Sequence, residues 1–426
     1  MNDKRRFSID IDEEYFETIH KSGLKIIVFP KMNLNASYAI IGTRYGSINT
    51  GFTENGEHVE IPDGTAHFLE HKLFEGKKED AFARFARTGA YANAYTSFDK
   101  TAYLFSGTEN IEKSLEILLD FVSHPHFTEE NVAKEQGIIG QEIEMYNDDA
   151  DWQSFFRAID SAYKTHPIKK DIAGTRETIK TLTPELLNKI YRHFYSSNNM
   201  VLCIAGQIDE KTVLKIADKA VKLKPQKDFC PDKPHEEKGV FQKRTSFEMP
   251  IAKTLFGIAI KSDVDYISGE DAVKADIAVA LALDLIAGGT SKFYNELYEK
   301  NVFSDISVEY MLSESYGATV ITGFSDTPEK VYEEFFKAAN NLIENGIEAE
   351  DFEMVRKNRY GKYVAGFDSA EAIANAAMNA EFMKTDLFKT GEILKNITPE
   401  EVISAAKWAF NEENAAMVTI FPKAKQ

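Results

Sequence analysis

Cysteine is nearly absent: Cys203 and Cys230 are the only two in 426 residues. That count rules out a cysteine-based metal cluster. Cys203 sits in the apolar run Met200-Val201-Leu202-Cys203-Ile204-Ala205 and reads as a core thiol. Long apolar runs are also missing. The longest candidate, Ile277 to Ile286, is broken by Asp284, so no membrane span is expected. Residues 1–14 are charged and have no apolar stretch of the kind a signal peptide needs, which makes a cytoplasmic location the default expectation. Positive charge is in deficit, with 50 Lys and Arg against 68 Asp and Glu and a net charge of -18. Nucleic-acid binding wants a basic face, so that function is disfavoured. The acidity favours cationic peptides as ligands if it gathers around a cleft, and otherwise only keeps the chain soluble. What remains is an ordinary globular composition, 43% hydrophobic and 28% charged, with length enough for two to three domains.

Against that background one short motif stands out. His67-Phe68-Leu69-Glu70-His71 reads H-x-x-E-H, the reverse of the commoner H-E-x-x-H. In a helix, positions i and i+4 lie on one face, so His67 and His71 can put two imidazoles on one metal ion. Glu70 projects near the same face, where a carboxylate can take a proton from water. Chance could also give this pattern, as two surface histidines with a charged neighbour. The deciding question is whether the rest of a site is present, because a hydrolytic zinc centre needs a third protein ligand and an open position. Glu142 is the best candidate. It lies in a stretch, Thr128 to Tyr146, whose apolar positions Val132, Ile139, Ile143 and Tyr146 recur at helical spacing, with Thr128 as N-cap. Glu135, seven residues earlier, shares its face beside the apolar stripe. Carboxylates there are costly to bury unless paired or bound to metal. Glu144 reads as part of a solvated charged face. His124 and His126 read as loop residues, since no carboxylate cluster of suitable spacing joins them.

The chain breaks in a stretch poor in apolar residues and punctuated by Pro225, Pro231 and Pro234. The expected organisation is a domain over residues 1–224, a linker over 225–243 and a second domain over 244–426. The halves resemble each other. Thr183-Pro184-Glu185 and Thr398-Pro399-Glu400 each open a helix that leads into an apolar strand, 199–204 and 416–421 respectively. Gly64-Thr65-Ala66-His67-Phe68 has a counterpart in Gly289-Thr290-Ser291-Lys292-Phe293. In that register Lys292, Asn295 and Glu296 replace His67, Glu70 and His71, and Tyr363 replaces Glu142. Joint loss of all three candidate ligands in one copy suggests that they act together in the other. Strands are expected at 23–30, 37–47, 101–107, 254–260 and 316–324, and helices at 63–75, 109–123, 272–287 and 328–345. They mix without regular βαβ alternation, which favours an α+β class with a mostly antiparallel sheet covered by helices in each of two homologous domains.

The H-x-x-E-H motif, the Glu135/Glu142 pair, the run Asn93 to Tyr103 and the twofold repeat together resemble the insulinase/pitrilysin-like inverzincin metallopeptidases, the group that includes the mitochondrial processing peptidase subunits. The chain looks most like the short bacterial members, with one two-domain half per polypeptide. The resemblance implies a zinc-dependent peptidase in which two such chains close around a chamber that admits peptides. It implies zinc on His67, His71 and Glu142, Glu70 as general base, and Glu135 supporting the site from behind. It implies that substrate adds as a strand along Asn93-Ala94, with Asn93 placed to hold a substrate carbonyl. One departure matters. Members or their partner subunits carry an Arg and a Tyr in the second domain that bind substrate and steady the oxyanion. Here Tyr298 stands where the Arg is expected and Asp305 where the Tyr is expected. The implied arrangement is a zinc-bearing chain that relies on a homologous partner for Arg and Tyr, or else a homodimer. The rival reading is a zinc-binding but non-hydrolytic subunit that captures peptides or scaffolds a partner.

Overall fold

A computed structural model describes residues 4–228 and 230–423. The chain forms two compact units. The first holds residues up to Ile143, with Asp171–Lys233 and Val364–Phe382. The second holds Glu144–Lys170, Pro234–Tyr363 and the chain after Met383.

The first unit is built on a seven-stranded sheet. Its strands are β1 (Lys4–Ser8), β2 (Glu13–Ile19), β3 (Lys25–Pro30), β4 (Ser37–Thr43), β7 (Tyr91–Thr96), β8 (Thr101–Gly107) and β9 (Met200–Gly206). The two intervening strands, β5 (Gly51–Glu54) and β6 (Glu57–Glu60), make a separate hairpin. The strand order is β1-β2-β3-β9-β4-β8-β7. Every pairing is antiparallel except β3 with β9. β4 and β9 are buried at every position, as expected for short apolar runs covered on both faces. β7 is the edge strand, so one side of its backbone has no strand partner.

The second unit has a five-stranded sheet of β10 (Arg244–Met249), β11 (Leu255–Ser262), β12 (Asp305–Leu312), β13 (Gly317–Phe324) and β14 (Ala415–Pro422). Its order is β10-β14-β11-β13-β12, with β10 and β14 parallel and the other pairs antiparallel. That is the order β3-β9-β4-β8-β7 repeated, so the sequence repeat is a repeat of topology. The two Thr-Pro-Glu helices, Pro184–Phe194 and Pro399–Ala409, occupy matching places before β9 and β14, and each has the threonine side chain accepting from the backbone of its first turn. The fold class is α+β, as expected.

The compact units follow chain order except for two helices. Ala370–Phe382 belongs to the first unit, where it lies so close to β4 that a Cβ on Gly42 would stand 2.5 Å from Met378 Sδ. Ala150–Ala162 belongs to the second unit, and a Cβ on Gly257 of β11 would stand 2.3 Å from the Ser154 carbonyl oxygen. In both sheets glycine permits close approach of a helix. Described residues of the stretch 225–243 make specific contacts. Pro231 pairs with Phe52, and Asp232 meets His58 at 2.8 Å. Further on, Glu236 accepts from the backbone N–H groups of Lys164, Thr165 and His166 and from Lys261 Nζ.

Candidate active site

Two helices of the first unit carry the site: α1 (Thr65–Phe74) and, after α2 (Ala81–Ala86) and α3 (Ile111–Ser123), α4 (Glu129–Asp148). α1 starts at Gly64, whose φ of 90° and close approach to the Ala173 carbonyl leave no room for a side chain. Ala66, Phe68, Leu69 and Leu73 are buried, so the helix is fixed within the core. α4 begins beyond Thr128, whose hydroxyl accepts from Asn131 N at 3.2 Å, and it buries Val132, Ile139 and Ile143 along the expected stripe.

Packing of these two helices brings His67, His71 and Glu142 together. One ligand atom from each lies within 4.8 Å of the other two. The imidazole centroids are 4.6 Å apart. Nε2 of His67 and Nε2 of His71 each stand 3.8 Å from an oxygen of Glu142. Among the described residues this is the one such convergence of three His, Cys, Asp or Glu side chains. His71 Nδ1 faces Glu135 Oε1 at 3.1 Å. Glu135 thereby aims the Nε2 of the ring at the site, the arrangement by which carboxylates orient metal-binding histidines. Lys72, entirely buried, contacts Glu75 and stands 3.6 Å from Glu135 Oε2. Glu70 accepts a hydrogen bond from Thr96 Oγ1 of β7 at 2.7 Å.

The electrostatics differ from group to group. Burial, reinforced by the charge of His71, pulls His67 down to about 4, so it is a neutral imidazole with a lone pair at physiological pH. Burial also opposes charge on His71, but the hydrogen bond to Glu135 and the carboxylates Glu70, Glu135 and Glu142 outweigh it and raise its pKa. Burial would raise Glu135, yet His71 and Lys72 hold it below the usual carboxylate range. Glu70 goes the other way, raised by burial despite the Thr96 hydrogen bond. A carboxyl moved up toward neutrality suits a group that must take and then release a proton.

A cavity of about 660 Å³ opens beside Glu70 and His71. Asn93 and Ala94 of the edge strand line it, and Phe74 and Phe82 stack at 4.2 Å on its wall. The Asn93 side-chain oxygen accepts from Ala94 N at 2.9 Å. Thr96 and Lys72 were not singled out by sequence reasoning. Lys72 did leave a trace, as a charge on the buried stripe of Leu69 and Leu73, whereas Thr96 reaches Glu70 only through the tertiary fold. The second-unit counterparts serve local structure. Asn295 donates to the carbonyls of Gly289 and Ser291, and Glu296 pairs with Lys300 at 2.9 Å. Tyr298 is exposed, and Asp305 is exposed at the start of β12. His124 lies beyond the end of α3, its Nδ1 against the Asp120 carbonyl.

The donor set of two imidazole nitrogens and a carboxylate, with His71 braced by Glu135 and lining the cavity, fits a zinc ion with one position left for water.

Comparison with known proteins places this arrangement in a class. Residues 52–176 match the family described as Insulinase (Peptidase family M16), and residues 181–359 match the Peptidase M16 inactive domain. The chain belongs to the insulinase, or M16, peptidase family, and its function is of the peptidase type. It is 36% identical over 423 residues to the Bacillus subtilis protein named uncharacterized zinc protease YmfH, covering 96% of this chain and 98% of the relative. It is 32% identical over 163 residues to the mitochondrial-processing peptidase subunit beta of Neurospora crassa, 37% of this chain and 34% of that one. An M16-like peptidase structure from Alicyclobacillus acidocaldarius superposes with a TM-score of 0.91 at 32% identity, covering 99% of both chains. Relatives bearing the name zinc protease agree with the donor set. No helix among the described residues is long and apolar enough to cross a membrane.

Proposed function

We propose that this chain is a zinc-dependent metalloendopeptidase that hydrolyses peptides bound along β7. His67, His71 and Glu142 would hold the zinc, which when bound lowers the pKa of water and polarises a carbonyl. A peptide added antiparallel to the open side of β7 passes Asn93 and Ala94, pairs with edge backbone groups that have no strand partner, displacing the Asn93 side chain from Ala94 N, and reaches Glu70 and His71. Glu70 takes the proton of the attacking water and delivers it to the leaving amine, while the Thr96 hydroxyl holds the carboxylate in place. The observation that carries this reading is the convergence of His67, His71 and Glu142 within 4.8 Å, with the raised carboxyl of Glu70 beside them. A scaffold has no need of a half-buried carboxyl with a raised pKa at that point.

Tyr298 and Asp305 favour a second chain. Without the Arg and Tyr of related enzymes an oxyanion lacks its donors, at a cost of about 10²–10³ in rate per donor. We therefore infer a homologous partner that supplies them, in line with the name of the fungal relative as a subunit. A non-hydrolytic capture subunit is the reading favoured if the chain stays inert with every partner tried. The test is cleavage of an unstructured peptide by the purified chain, alone and mixed with a homologous chain that carries the Arg and Tyr, before and after chelation. The expected result is weak zinc-dependent cleavage alone and a large gain with the partner. Full activity alone, with no gain, would refute the two-chain reading. Zinc-independent cleavage, or none in any mixture, would refute the hydrolytic one.

A further inference from the structure

Lys72 follows the second histidine directly and is entirely buried on α1. A buried ammonium is expensive unless carboxylates meet it. Two do: Nζ contacts Glu75, and it stands 3.6 Å from Glu135 Oε2. The other oxygen of Glu135 is 3.1 Å from His71 Nδ1. A continuous chain of contacts runs from Glu75 through Lys72 and Glu135 to His71, whose Nε2 faces Glu142. We propose that Lys72 is a positioning residue for the metal centre, holding Glu135 as the fixed acceptor for the His71 Nδ1–H and so presenting the His71 Nε2 lone pair to zinc. The proposal rests on the zinc reading above.

The Glu135 side chain is only 10% exposed and has two partners, one on each oxygen. Removing the ammonium leaves one oxygen without its charge partner. The carboxylate is then free to turn into the cavity that it lines, and that movement loosens its grip on His71. Repulsion between a cation and a nearby metal acts in the opposite sense. Here it is small, because Lys72 is in contact with Glu75 and the pair carries no net charge. A Lys72 that merely tied α1 to α4 would matter for stability and leave metal affinity alone.

The test removes the pair without changing net charge. Zinc affinity is measured by chelator competition for wild type, K72M/E75Q, E135Q and the triple variant K72M/E75Q/E135Q, with thermal unfolding of each metal-free form. The expected result is zinc binding weakened about 10–100-fold in K72M/E75Q, the usual range for losing such a supporting contact, and no further loss when the pair is removed from E135Q. Affinity within twofold of wild type overturns the proposal, whatever happens to unfolding. An equal loss in both backgrounds also overturns it, because Lys72 would then not act through Glu135. If K72M/E75Q does not fold, K72Q/E75Q takes its place; an intermediate loss is expected, and wild-type affinity overturns the proposal. A wild type that binds no zinc sinks the site reading and this proposal together, whereas zinc held equally by wild type and variant sinks this proposal alone.

Discussion

At the scale of single residues, the site assigns opposite electrostatic tasks to neighbours on one helix. His67 is kept neutral, while the pKa of His71 is raised by the carboxylates around it. A proton therefore competes with metal at His71 before it does at His67. Zinc affinity should fall as pH drops through the raised range of His71, and should fall further in more acid solution, where His67 at about 4 takes up a proton. Chelator competition across that range checks this, and a pH-independent affinity would contradict it. Thr96 gives a second prediction. Its hydrogen bond favours the ionised form of Glu70, so Thr96→Val should raise the Glu70 pKa further and shift the acid limb of the pH–rate profile upward. An unmoved limb would mean that the hydrogen bond is incidental. The metal and base candidates were legible in the sequence because helical spacing alone puts His67, Glu70 and His71 on one face and Glu135 and Glu142 on another. Thr96 was not, because its contact spans 26 residues and depends on how β7 packs against α1.

At the scale of elements, helix packing on each sheet sets what a substitution costs. Gly257→Ala would drive a Cβ onto the rigid Ser154 carbonyl, whereas Gly42→Ala meets the flexible end of Met378. Gly257→Ala should cost about 1–3 kcal/mol and Gly42→Ala clearly less; urea unfolding ranks them, and the reverse order would mean that the helix Ala150–Ala162 is free to shift. His166, entirely buried, accepts from Ile168 N at 3.1 Å and faces Ser315 Oγ at 3.2 Å. Burial holds it down to about 4, with Glu236 and Lys261 pulling in opposite directions. Its folded pKa lies below the unfolded one, so its contribution to stability is whole above about 6.5 and is lost as pH falls from there toward 4, by up to about 3 kcal/mol. His166→Gln should therefore be less sensitive than wild type to acid between pH 7 and 5, even if it is less stable at neutral pH. Parallel stability curves would contradict this. Most helices and strands were readable from periodicity and caps; the helix expected at 328–345 is Pro328–Asn345. The strand expected at 37–47 stops at Thr43, where the following residues turn toward the Phe98 loop and leave the ladder.

At the scale of the whole molecule, the repeat seen in Thr-Pro-Glu is a repeat of strand order, kept in the half that lacks the candidate ligands. The placement of Ala150–Ala162 in the second unit and Ala370–Phe382 in the first left little mark in the sequence. Both are ordinary amphipathic or Ala-rich helices, and which sheet a helix covers is decided by non-local packing that periodicity does not encode. The glycines at 42 and 257 are the only local hint of it. The central claim is narrower than the fold: three side chains hold zinc and a fourth moves the proton. Glu70→Gln separates these roles. The measurement is zinc content and peptide turnover of that variant beside wild type, each alone and mixed with a homologous chain that carries the Arg and Tyr. The account predicts one zinc per chain in both proteins and a loss of turnover of at least about 10²–10⁴-fold in the variant. Turnover that survives the substitution with zinc in place would contradict it.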